Sequence, residues 1–199
     1  MAYGTNAAWG LKPVRYKNGS PYTGAVNSYG ITSAYSTSLF TGDPVTFLNT
    51  GMIGIGVAGA ACLGVFMGCK YTQSDGTFKF NPMWPASTTV QTGTTIQALI
   101  ADDPNLVFSM QEAATATTAG TPLALADQGL NANFAAATGN SANGLSAYFL
   151  DNTTEATTIS LNMKIIALDP AVGNAVGNYA NWLVTWNNHI FQSTGTSGI

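Results

Sequence analysis

The pattern of apolar and polar side chains changes character along the chain. From residue 43 onward, short segments alternate with period two between turn signals, as strands with one buried face do. Val45 and Phe47 flank Thr46, and Phe78 and Phe80 alternate with Thr77 and Lys79 after Ser74-Asp75-Gly76. Ile96, Ala98 and Ile100 alternate with Gln97 and Leu99, and Leu106, Phe108 and Met110 follow an Asp103-Pro104-Asn105 turn. The strictest alternation runs from Ile159 to Ile165, and Trp182, Val184 and Trp186 close the series, opposed by Leu183, Thr185 and Asn187. The second side of each strand is expected to be solvated or to face another subunit. Helical periodicity is scarce: residues 121–137 have room for one short helix, weakened by Gly129, Asn131 and Asn133. The pattern predicts a mainly β fold, an antiparallel β-sandwich or barrel-like domain with little helix.

Residues 1–30 show neither period. Tyr3, Trp9, Tyr16, Tyr22 and Tyr29 are scattered among Gly, Pro and Asn, and Lys12, Arg15 and Lys17 supply three of the 6 cations. One reading is an extended N-terminal arm over 1–30 followed by a single β-rich domain over 31–199, the arm carrying the aromatic and Arg side chains that dominate binding hot spots. The other is a segment wrapped over its own domain, with the aromatics plugging the core. As an arm, it would anchor through Trp9, Arg15, Tyr16 and Tyr22, with Lys12 and Arg15 meeting acidic patches on a partner.

The uncharged stretch from Gly51 to Gly68 matches two patterns that context weakens. Its length is near the lower limit for a membrane span, about 18 residues, yet its glycines lower hydrophobicity and no basic flank sets an orientation. Gly54-Ile55-Gly56-Val57-Ala58-Gly59 fits the dinucleotide fingerprint, with Asp75 beyond it. That chemistry requires a preceding strand and a following helix whose N-terminus meets the pyrophosphate. The sequence predicts instead a Gly-rich loop at 51–61 feeding a buried strand at 62–71.

Composition narrows the chemistry. The 199 residues suit one domain, with 46% hydrophobic and only 8% charged residues, against about 25% charged in an average domain. Six cations against nine acids, for a net charge of −3, cannot supply the basic stripe that nucleic acid requires. The single histidine, His189, removes most histidine-based acid–base and metal chemistry, and is expected at a surface or interface. Asp102 and Asp103 before Pro104 read as a turn in which Asp caps its own backbone. No catalytic, cofactor or metal constellation emerges, so a non-enzymatic role is expected. A charge-poor surface rich in Thr and Asn has little electrostatic repulsion against association.

Cys62 and Cys69 are the only cysteines. On an extended strand their Cα atoms would lie roughly 23 Å apart, beyond the about 7 Å a disulfide tolerates, and they would face opposite sides. Buried free thiols are expected, as in a protein made in a reducing cytoplasm. Met1-Ala2-Tyr3-Gly4-Thr5-Asn6 lacks the basic start and apolar core of an export signal.

Several segments together resemble one group of proteins. Trp9-Gly10-Leu11-Lys12-Pro13-Val14-Arg15-Tyr16 with Asn18-Gly19-Ser20-Pro21-Tyr22-Thr23-Gly24 is similar to an N-terminal signature of tailed-bacteriophage virion proteins. Gly42-Asp43-Pro44-Val45, Leu63-Gly64-Val65-Phe66-Met67-Gly68, Ala101-Asp102-Asp103-Pro104, Leu168-Asp169-Pro170 and Trp182-Leu183-Val184 with Asn188-His189 continue it. These look like capsid decoration, or cement, proteins. The resemblance implies a β-rich homo-oligomer, often a trimer, made in the host cytoplasm and bound to the outer surface of the head. There it would clamp neighbouring major capsid subunits, without cofactor, nucleic acid or membrane. A tail or fibre subunit is the alternative within the virion, and a dinucleotide enzyme using Gly54–Gly59 the alternative outside it.

Overall fold

The computed structural model describes residues 4–192, so Tyr3 and the Met1 start of the N-terminal segment lie outside the described residues. Its strands, in chain order, are β1 (Lys12–Tyr16), β2 (Asn27–Gly30), β3 (Leu39–Phe40), β4 (Pro44–Phe47), β5 (Ile53–Ile55), β6 (Gly64–Thr72), β7 (Phe78–Asn81) and β8 (Met83–Trp84). They continue as β9 (Gln97–Ala101), β10 (Leu106–Ala113), β11 (Asn131–Ala132), β12 (Phe134–Ala135), β13 (Phe149–Asp151), β14 (Met163–Leu168) and β15 (Asn181–Trp186). The fold is mainly β, in several antiparallel sheets with a nearly closed, barrel-like arrangement. Among the described residues, helix is confined to one 3-10 turn, Leu125–Asp127.

A first, seven-stranded sheet runs β11-β14-β15-β10-β13-β12, with β1 also on β10. Strand β10 is its hub: it pairs antiparallel with β1 and β15, and at Glu112 and Ala113 parallel with β13. A second, six-stranded sheet runs β2-β9-β6-β4-β5, and β7 joins it on β6. The third sheet is the short β3–β8 pair.

Two adjoining cores result. Leu106, Phe108, Met110, Trp182, Val184 and Trp186 point into the first, together with Val65, Cys62 and Ala101 from the second sheet's side. Phe66, Cys69, Tyr71, Trp84, Ala98 and Ile100 fill the second core, and Ile55 touches both. Successive side chains of a strand face opposite sides, so Val65 and Phe66, or Ala101 and Ile100, each serve one core. Cys62 and Cys69 are buried, free, and lodged in different cores. Their thiols are pushed up to about 12 by burial.

The turns form for local reasons. Asp103 accepts the Asn105 N–H at 2.7 Å and turns β9 into β10. Asp75 accepts the Thr77 N–H at 2.8 Å in the β6–β7 hairpin. In β6 the register slips between Phe66 and Gly68. Gly68 takes φ +135°, where a Cβ would be strained and would sit 3.1 Å from the Asn81 carbonyl oxygen.

Several expectations are corrected. The aperiodic residues 1–30 contain two strands: β1 joins the first sheet and β2 the second. Their period is hidden because most β1 side chains are half-buried on both sides, and β2 is largely exposed. The strict alternation from Ile159 becomes a strand only at Met163; before it, Asn187 Nδ2 donates to the carbonyls of Ile159 and Leu161, replacing ladder pairing. Residues 121–137 hold the 3-10 turn, β11 and β12 rather than a helix, and the loop at 51–61 contains β5.

The largest correction concerns the second face of β10 and β15, which is buried rather than solvated or subunit-facing. Gln111 donates to the carbonyls of Thr5 and Tyr179 and accepts the Ala7 N–H, Ser109 donates to Asp169, and Thr185 donates to the Leu106 carbonyl. The chain's own N-terminal segment and the 169–180 loop cover this face, satisfying the polar groups that burial would otherwise penalise.

Candidate functional site

Residues 4–11 reach the first sheet as a strap. Asn6 Nδ2 donates to the Ala116 carbonyl, and Gln111 holds Thr5 and Ala7 as described. The Gly10 N–H donates to the Tyr148 carbonyl at 3.0 Å, and the Leu11 N–H to the Gly42 carbonyl at 2.9 Å. Gly10 (φ +77°) and Gly42 (φ +100°) approach so closely that a Cβ on Gly10 would lie 2.4 Å from the Gly42 oxygen. Only glycine serves at such a crossing. From here Leu11 turns into the first core, buried to 1% exposure.

This crossing opens a mostly apolar groove of about 430 Å³. Trp9, Leu11, Lys12 and Pro13 line it from the N-terminal segment, Gly42 from the turn before β4, Met67 from β6, and Leu145 closes one side. Backbone bonds lock the three segments together: Gly42 N–H to the Phe66 carbonyl at 2.8 Å and Phe66 N–H to the Asp43 carbonyl at 2.9 Å. The Trp9 Nε1 atom is buried there without a hydrogen-bond partner. Asp43, 2% exposed, accepts the Phe40 N–H at 2.8 Å. Burial raises its carboxyl to about 6 against the opposing pull of Ser146 and that N–H.

Of the five residues expected to anchor a partner, Trp9 and Lys12 lie at this groove and the other three do not line it. Tyr16 and Tyr22 pack half-buried against the first core, their ring centres 6.4 Å apart. Tyr22 donates its hydroxyl to the Ala25 carbonyl, and burial, then Tyr16 and Asp102, raise its phenol. Arg15 is half-buried, its guanidinium donating to the Tyr16 carbonyl at 3.3 Å.

The remaining chemical groups stay apart. His189 is buried at 3% exposure rather than on a surface; its Nδ1 accepts the Phe191 N–H, and the Trp186 and Phe191 rings flank it at 5.7 Å. Burial lowers its pKa most, outweighing the carbonyl of Leu63 and the nearby Asp102 and Asp103. Gly54–Gly59 follows the start of β5, but a turn and β6 come next where a pyrophosphate site requires a helix. Asp102 accepts both Asn27 Nδ2–H, at 3.0 Å, and the Tyr29 hydroxyl, tying β2 to the end of β9. Among the described residues no three His, Cys, Asp or Glu side chains cluster as metal ligands, and no helix is long and apolar enough to cross a membrane.

Sequence reasoning missed the exposed side chains of β7. Phe78 and Phe80 alternate as core residues should, yet are 66% and 68% exposed. The available signal was the Asp75-Gly76 hairpin, which puts them on a peripheral strand. Glu112, which the sequence places among the candidate carboxylates beyond a strand, lies within β10 and is fully buried. Comparison of the chain with protein-family profiles, curated protein sequences and solved structures finds no match.

Proposed function

We propose that the chain is a structural virion protein, a decoration (cement) protein of a tailed-bacteriophage head. In this reading it binds the outer surface of the capsid and stabilises contacts between major capsid subunits. One observation carries the reading. Three of the segments that resemble virion proteins, 9–16, 42–45 and 63–68, converge on a single apolar groove rimmed by Lys12. Residues held in common by such proteins would then build a docking feature, not a reaction centre.

The energetics suit this role. A protein that binds the assembled shell better than free subunits stabilises assembly by mass action. Self-association, as a trimer, would let several weak contacts act together. The low charge density offers little resistance to crowding on a lattice.

The test is co-sedimentation with emptied heads of the phage encoding the chain, followed by electron microscopy. Extra density on the outer head surface is the expected result. Density on the tail would assign a tail or fibre subunit, and absence from purified particles would overturn the proposal.

A further inference from the structure

The second sheet carries one face that its neighbour covers only in part. Around the bulge of β6, Val65, Met67, Lys70 and Thr72 share a side, with Phe66, Cys69 and Tyr71 turned into the second core. Val65 is buried in the first core, and Met67 packs half-buried against it at the groove. Beyond Met67 the cover thins to the 93–97 segment beside the half-buried Lys70 and Thr72. Lys70 pairs with Phe80 and Thr72 with Phe78. Residues directly opposite across a ladder lie on the same face, so both phenylalanines continue this side outward, while Lys79, opposite Tyr71, belongs to the other face.

The thinly covered strip therefore runs from the groove to the β6–β7 hairpin. Pro82, whose carbonyl accepts the Thr41 hydroxyl, links the two ends. Leu145 at the groove is 41% exposed. Exposed apolar side chains grouped on one face in this way mark interaction sites. Its charge points to the partner: the β6 and β7 side chains on this strip and those lining its groove include two cations, Lys12 and Lys70, and no carboxylate short of Asp75 in the hairpin turn, although acids outnumber cations in the chain by 9 to 6.

We infer that this strip, from Trp9 and Met67 to Phe80 and Phe78, is a docking face for a protein surface that combines apolar side chains with carboxylates. The inference rests on the decoration reading and deepens it: the occupant is the acidic, apolar outer surface of the shell protein. Phe80 and Phe78 supply the desolvated anchors, while Lys70 and Lys12 set orientation and make attachment salt-sensitive.

The test compares full-length wild type with Phe78→Ser/Phe80→Ser, Lys70→Glu and, as a control on the 170–176 loop, Val172→Ser, titrated onto emptied heads. Melting and sedimentation of each free protein are measured alongside. Melting should change little, Phe78, Phe80 and Val172 being exposed and Lys70 half-buried. The double serine variant is expected to bind at least about ten-fold more weakly. Lys70→Glu should weaken binding with a reduced salt dependence, and the control should match wild type. If wild type does not sediment with heads, the decoration reading falls and this inference with it. If wild type binds and both face variants bind equally well, the inference alone is overturned. If the serine variant only breaks up an oligomer of the free protein, the face belongs to a second copy, which also overturns it.

Discussion

Glu112 Oε2 accepts the backbone N–H of Leu123 at 2.7 Å, and both residues are buried. Through this bond the first sheet's hub strand holds the loop that leaves it. Asn152 Nδ2 adds a longer contact at 3.5 Å and a second bond, at 2.8 Å, to the Ala119 carbonyl in the same loop.

Burial raises the Glu112 carboxyl from 4.5 to about 7, against the opposing pull of the donors around it, Leu123 first. A carboxyl raised in the folded state holds a proton that the unfolded chain releases. Its stabilising effect is therefore complete below about pH 4.5 and is lost as pH rises to about 7. Asp43 acts in the same direction up to about pH 6. These two carboxyls should lower urea midpoints from pH 4.5 to 7, against the opposite trend of His189, whose lowered pKa favours the folded state as pH rises toward 6.5. Glu112→Gln should flatten that slope and raise stability at pH 8 by about 2 kcal/mol. An unchanged slope in the variant would remove Glu112 as its source.

Removing residues 2–24 should not leave the β core intact. The deletion takes away β1 and Leu11, exposing an edge of β10 and a cavity in the first core. Leu11→Ala alone should cost about 2–5 kcal/mol, read from denaturant unfolding. A truncated protein melting like the full chain would show that β1 contributes nothing to the sheet.

Asp102 joins β2 to β9 through Asn27 and Tyr29. Burial first, then Asp102, raises the Tyr29 phenol to about 12. Asp102→Ala should lower stability by about 1–2 kcal/mol and bring the phenol back toward its ordinary value. Spectrophotometric titration against a Tyr29→Phe control isolates that step.

The thiols of Cys62 and Cys69 should resist an aromatic disulfide reagent in the native protein and react together on unfolding, because burial suppresses the thiolate. Rapid labelling of one cysteine before unfolding would mean that its core opens locally.

What the sequence makes legible follows from where one face is buried and the other is not. The β9 pattern at Ile96, Ala98 and Ile100 is read correctly because those side chains fill the second core while Gln97 stays exposed. The same rule misleads in β10 and β15, where the loop and strap that bury Ser109 and Gln111 come from distant parts of the chain. It misleads again at Phe78 and Phe80, since alternation states that two residues share a face but not whether anything covers it. At the candidate site, Trp9 and Lys12 stood out as an aromatic and a cation in an aperiodic segment. Met67 and Gly42 did not, because only the folded chain brings them to the same groove.

The position of β15 between β14 and β10 carries a consequence for biogenesis. The last strand of the described chain is an interior member of the first sheet, not an edge. Until residue 186 emerges from the ribosome, β10 and β14 have no shared neighbour, and their open edges must wait. Assembly of this sheet therefore waits on β15 and is dominated by distant pairings, the kind that fold slowly and are vulnerable to aggregation in the interval.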